Sequence, residues 1–368
     1  MTNLLQPGHG PVDGDHYLTA DPGLVHWGHL PNATAEPVLT IGSGETVTVD
    51  TISHEGILGD QGRDPTAFFA ATAGIPGTGL LHDTVELAAS TRDHDPGVHG
   101  PHVVTGPVAI RGARPGDVLE VEVLRLRRRA PYGVISNRHG KGALPGEYPQ
   151  PSEGSPVGTS VGTVSLVATV GPDGLGRLPV GDGRHLAFPL RPFLGIMGVA
   201  PATEAAVHSV PPGSHGGNLD VRHLGTGARL FLPVQVPGAL FYAGDPHFSQ
   251  GDGEVALTAF EAPLRATLRL TLHTDPATRA LAARLGAPFA ETETEHLVLG
   301  LDPDLDEAMR RAVRDALTLL ADRYGVPGPV GLAYLSAAAD FHVSQVVDGV
   351  KGIHGRLPKS HLAHLGIT

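Results

Sequence analysis

Short apolar runs, each closed within a few residues by glycine, proline or aspartate, recur along the first two thirds of the chain and leave room for little but strands. They end at Ile41, Ile52, Ile110, Arg129, Val170 and Val236. In the longest, Leu119, Val121 and Val123 alternate with Glu120 and Glu122, the period of a strand with one partly solvated face. The 50 glycines and 33 prolines among 368 residues punctuate these runs without any repeat, which points to tight turns and not to collagen or disorder. Two further strands are expected over 254–261 and in the run ending at His273. The period then changes. Leu305, Ala308, Met309, Ala312, Val313, Ala316, Leu317 and Leu320 recur at helical spacing after Asp302 and Pro303, and Gly325 ends that helix. A shorter helix runs from about Pro276 to Leu285 between Asp275 and Gly286, and a third is expected from Val330 to about Val347. The expected fold is mainly β, sandwich or barrel-like, with an α+β C-terminal part. It is read as one continuous unit over 1–368 that changes character near residue 274. The Gly- and Pro-rich stretch 129–160 reads as a lid over a pocket or as a plain solvated loop.

The formal charge of −12 argues against a nucleic-acid or acidic-membrane partner and suits a small neutral substrate. The basic run Arg125 to Arg129 has no interleaved aromatics and reads as a solvated strand end. No segment approaches the roughly 20 apolar residues of a membrane span, and the start lacks a basic stretch followed by an apolar one, so the expected location is cytoplasmic. There is no cysteine, so thiolate nucleophiles and thiolate metal sites are excluded and any metal must be held by His, Asp or Glu.

Two segments concentrate chemistry. PPGSHGGNLDVRHL offers His215, Asn218, Asp220 and His223 around two glycines, although a simple Asx turn would use the same residues. YAGDPHFSQGDGEV adds Asp245, His247, Gln250, Asp252 and Glu254, more polar donors than a hairpin turn needs. Carboxylate and imidazole one residue apart can chelate a borderline divalent ion such as Zn²⁺, and Glu254 follows closely enough to act as general base or acid. His54 and Glu55, and then His99 and His102, lie upstream, in turns where a lone histidine is more often structural. The loop from Asp245 to Glu254 is also rich enough in carboxylates for a Ca²⁺ beside the first ion. Neither a Gly-x-Ser-x-Gly elbow nor a serine-rich amidase stretch is present, which leaves metal-activated water as a common route to an amide carbonyl.

GPHVVTGPVAIRGARPGDVLEVEVL, FLGIMGVAP, HGGNLDVRHLGTGARLFLPVQVPGALFYAGDPHFSQGDGEV and the terminal QVVDGVKGIHGRLPK resemble, in this order, signatures of the acetamidase/formamidase family. The resemblance implies hydrolysis of short aliphatic amides, a bound divalent metal and a homo-oligomer. The family pattern falls on Gly216, Gly217, Asn218 and Asp220, then on Gly244, Asp245, His247, Gln250, Gly251, Asp252, Gly253 and Glu254. The reading assigns metal ligation to Asp220 and His247 with His54 and His102. Glu254, Asp245, Asn218 and Gln250 are assigned to catalysis, Glu254 as the base and Asn218 and Gln250 to orient the amide. Two departures from the pattern are Phe248, expected to narrow the acyl pocket, and His54 where a carboxylate was expected. Two rival readings stay open: the same scaffold acting on a lactam or formylated amine, and a non-catalytic sandwich with a fully enclosed metal.

Overall fold

The computed structural model describes residues 4–90, 94–95, 97–150 and 161–366. Two large sheets dominate it, and both are open, so the sandwich expectation applies and the barrel does not. The nine-stranded sheet runs from His16–Leu18 at one edge to Asp340–Gln345 at the other, so it joins strands from both sides of residue 274. Its centre pairs Val118–Arg128 with Leu264–His273 and Arg229–Pro233. In the eleven-stranded sheet, Phe241–Ser249 is flanked by Phe193–Gly198, Val103–Ile110 and Phe260–Glu261. Val121, Leu230 and Leu268 of the first sheet and Val108, Leu194 and Phe241 of the second bury one shared core between the layers. Each such side chain contributes about 1.5–3 kcal/mol by leaving water.

The helix Leu305–Tyr324 lies against Glu295–Asp302, with Asp304 capping its start, Gly325 in the left-handed conformation at its end, and Ala308, Ala312 and Ala316 buried. Pro276–Leu285 has the expected caps, Asp275 and Gly286. The third helix is shorter than expected: Gly328–Ala338 stops, and Asp340–Gln345 continues as a strand paired with Lys351–Pro358. Phe341, Val343 and Gln345 have the period of two, which the helical reading overlooked. Two helices within the β-rich part were not expected, Pro65–Ala73, capped by Asp64, and His82–Ala89. Strand 254–261 shrinks to Phe260–Glu261, because Gly253, Glu254 and Leu257 all take positive φ and turn the chain. Within 129–160, Tyr132–Arg138 is a strand, while 151–160 of the expected lid lies outside the described residues.

The basic strand end is only partly solvated. Arg125 is exposed, but Arg129 is fully buried and pairs with Asp83 at 2.7 Å and Asp50 at 3.5 Å. Arg265 joins Asp50 and also donates to the carbonyls of Gln6 and His9, tying the N-terminal segment to the sheet. Among the described residues, no helix is long and apolar enough to cross a membrane.

Candidate metal and amide site

Strand alternation sends Phe241 and Ala243 into the core. Asp245 then adopts φ +51°, and the core face passes to Phe248 two positions after an even residue would have turned outward. The phase change turns Asp245 to a cavity in place of the core and sets His247 behind it. It also removes Phe248 from the acyl pocket: its ring packs 5.5 Å from Phe260, so the expected narrowing does not occur there. Asp220 at φ +50° and Glu254 at φ +46° share this left-handed geometry, which is costly for a non-glycine residue and gathers at functional sites. Gly195 supplies the room, since a Cβ there would lie 2.5 Å from Asp245 Oδ2, 2.6 Å from Asp220 Oδ1 and 2.8 Å from His247 Cε1.

Seven of the eight expected residues, His54, His102, Asn218, Asp220, Asp245, His247 and Glu254, are buried together here. All but His247 line a cavity of about 320 Å³, and His247 lies directly behind Asp245, with Nε2 3.1 Å from Asp245 Oδ2 and 3.1 Å from Glu261 Oε1. His54 Nδ1 is 3.5 Å from Asp245 Oδ1, and His102 Nε2 is 4.0 Å from Asp245 Oδ2. Gln250 is the exception. Its oxygen accepts from His247 Nδ1 at 3.1 Å and its nitrogen donates to the carbonyls of Asp220 and Ser344, so it does not reach the cavity to orient a substrate. That arrangement holds a proton of His247 on Nδ1 and turns Nε2 to Asp245 and Glu261, and although burial opposes it, the charges of Glu261 and Asp245 hold the imidazole well above its ordinary range.

Residues not singled out in the sequence complete the site. Glu261 and Asp348 line the cavity, and Asn218 Nδ2 donates to Asp348 Oδ2 at 3.0 Å, leaving Asn218 Oδ1 without a partner. Glu55, a candidate already in the sequence beside His54, accepts from Ser136 Oγ at 2.5 Å and from Arg138 at 2.8 Å. A lone glutamate in the apolar run AFEA was a usable signal for Glu261, whereas Asp348 carried none beyond its place in the terminal segment. Arg138 and Lys141, from the expected lid, also line the cavity.

Burial and mutual repulsion dominate the electrostatics of the cavity. Burial raises the carboxyls of Asp220, Glu254 and Glu261 above their ordinary range, and the neighbouring charges of Glu254 and Asp348 push Asp220 and Glu254 further. Burial lowers His102 to about 4, keeping it neutral. Burial would also lower His54, but its close approach to the carboxylates of Asp245 and Glu55 outweighs this and lifts it to about 10. His54 Nδ1, His247 Nε2, Asp220 Oδ1, Asp245 Oδ1 and Glu261 Oε2 are all buried without a hydrogen-bond partner. Three overlapping donor sets, joined through Asp245 and His247, each lie within 4.8 Å: His54, His102 and Asp245; Asp220, His247 and Glu254; and Asp245, His247 and Glu261. Buried carboxyl oxygens and imidazole nitrogens left together without hydrogen-bond partners fit a divalent ion of borderline softness. Asp252 points elsewhere, to Arg222 and His342, so the carboxylates of the 245–254 loop do not converge on one oxygen cage.

The sequence matches the model of the acetamidase/formamidase family over residues 81–206 and 199–353. A protein of Schizosaccharomyces pombe is 30% identical over 194 residues, 42% of this chain and 47% of its own length, so the matched stretch spans about half of that relative. The formamidase of Methylophilus methylotrophus is 25% identical over 304 residues, 67% of this chain and 73% of the relative. The crystal structure of an acetamidase from Bacillus halodurans superposes with a TM-score of 0.71 at 25% identity, covering 95% of this chain and 99% of the other.

Proposed function

Since the chain belongs to the acetamidase/formamidase family, we propose that it hydrolyses the C–N bond of a small amide, consuming one water and giving the carboxylate and ammonium. The observation that carries this reading is the convergence of unpartnered His54, His247, Asp220, Asp245 and Glu261 donor atoms around one cavity. Asp220, His247, Asp245, His54 and His102 would hold a divalent ion, with Zn²⁺ the best match to nitrogen and oxygen donors without thiolate. Such an ion supplies Lewis-acid polarisation and a lowered pKa for water. Glu254 is the general base, because burial and the nearby Asp348 charge make its carboxylate more eager for a proton than an exposed one. Asn218 Oδ1, free because Nδ2 is committed to Asp348, accepts a hydrogen bond from the substrate –NH₂ and orients its carbonyl. Gln250 acts through His247 and not on the substrate.

The test is ammonia release from formamide, acetamide, propionamide and a γ-lactam by purified protein, before and after chelation and with Zn²⁺ restored. Release should vanish with chelator and return with the ion, and Glu254→Gln should lose at least about 100-fold in kcat while keeping its metal. Undiminished turnover in that variant removes Glu254 from the mechanism.

The size of the cavity favours a second reading within the same chemistry. At about 320 Å³ it is in the range that encloses a drug-sized ligand, and formamide would leave most of it to water. On this reading kcat/KM rises from formamide to longer or substituted amides.

A further inference from the structure

We propose that the chain carries a second divalent-metal site, formed by His223, Asp252 and His354 with His342 beside them, which takes a borderline transition ion and braces the loop leading to Glu254. None of these four residues lines the amide cavity. Donor atoms of His223, Asp252 and His354 lie within 4.8 Å of one another. His342 and His354 are opposite each other on the antiparallel strands Asp340–Gln345 and Lys351–Pro358, with rings stacked at 5.5 Å and 13°. The His223 ring is 5.1 Å from His354, and His342 Nδ1 is 3.4 Å from Asp252 Oδ2.

Two further observations point to a ligand. The Nε2 atoms of His223, His342 and His354 are all buried with no hydrogen-bond partner, and His354 is fully buried. A protein pays desolvation for each such nitrogen and recovers nothing unless something binds there. Ser344 Oγ lies 2.9 Å from His354 Nδ1 and can accept its proton, and this contact holds the ring with Nε2 turned away from Ser344, the arrangement in which a second partner orients a metal-binding imidazole. Burial and the two adjacent imidazoles hold His354 neutral. Arg222 bonds Asp252 Oδ2 at 2.7 Å. A guanidinium so close disfavours a hard ion held by oxygens alone and selects one whose affinity comes mainly from imidazole nitrogen, such as Zn²⁺, Co²⁺ or Ni²⁺.

The location gives the ion a positioning task. Gly253 N donates to Ser344 O at 3.0 Å and Val346 N donates to Gly253 O at 3.2 Å, so the loop is already sewn to the strand that carries His342. An ion bridging Asp252 to His354 and His223 pins the same loop one residue before Gly253 and two before Glu254.

Metal-stripped full-length protein is titrated with Zn²⁺ and with Co²⁺, and bound equivalents per chain are counted by elemental analysis after dialysis. His223→Ala should hold one equivalent fewer than wild type, His247→Ala should lose binding at the amide cavity, and the double variant should lose both amounts additively. A His223→Ala protein with wild-type circular dichroism and the wild-type metal count overturns the proposal. If His223→Ala fails to fold, Asp252→Asn is counted in its place with the same two outcomes. The count is independent of turnover, so a protein inactive on every amide tested can still pass or fail it.

Discussion

One imidazole, His247, is held on Nδ1 by Gln250 and presented on Nε2 to two carboxylates, so the chemistry of the cavity depends on a residue outside it. Gln250→Leu should weaken metal binding about 10–100-fold in a competition titration while the fold persists; unchanged affinity would mean that packing alone orients the ring. Gly195 is a still sharper case, because a methyl group there occupies space between Asp245, Asp220 and His247. Gly195→Ala should keep its β-sheet circular dichroism and lose metal and turnover together, and retention of both would show that the carboxylates can step aside. The two residues also mark what could be read beforehand. Asp245, His247 and Glu254 announced themselves by density of donors in one loop. Gly195 has no side chain to signal with, and Asp348 enters only through tertiary contact with Asn218. Gln250 was noticed for its polarity and given the wrong neighbour, since sequence does not say which way a side chain faces after a left-handed residue has changed the strand's phase.

At the scale of elements, the long helix and its strand meet without clearance. Gly300, on Glu295–Asp302, faces Leu305–Tyr324 so closely that a Cβ would overlap the Ala308 carbonyl oxygen and lie 2.6 Å from Ala312 N. Gly300→Ala should therefore cost about 1–3 kcal/mol in urea denaturation, as overpacking does; a neutral result would mean that the helix rides outward freely. On the same helix, burial raises the Asp315 carboxyl to about 7, with Arg311 opposing the shift. The folded chain then keeps a proton that the unfolded chain releases, so the stability from this group is full below its ordinary value near 3.8 and declines as pH rises to about 7. Asp315→Asn should melt above wild type at pH 8 and converge with it near pH 4, and parallel curves would place the carboxyl in water. Caps and apolar spacing made Pro276–Leu285 and Leu305–Tyr324 legible. Pro65–Ala73 was hidden because its short apolar run PTAFFAATA has no polar face to reveal a period, and 254–261 misled because strand-like composition was overruled by three successive departures to positive φ.

For the whole molecule, ions that bind only the folded chain must raise its stability. Zn²⁺ at about 100 times its dissociation constant adds roughly 2.7 kcal/mol per site, so the melting temperature should climb with Zn²⁺ concentration and fall back with chelator. A flat response would argue against any resident ion. The layered β architecture was visible in the sequence as punctuated runs; the pairing order was not, because hydrogen bonds between Thr46–Asp50 and Leu264–His273 join segments with no local signature of each other. That pairing has a consequence for synthesis. The cavity draws on His54 near the start of the chain and Asp348 near its end, and the sheet behind it closes with Asp340–Gln345. A chain still emerging from the ribosome therefore cannot assemble the cavity until Asp348 has been made, and until then its early strands wait for partners.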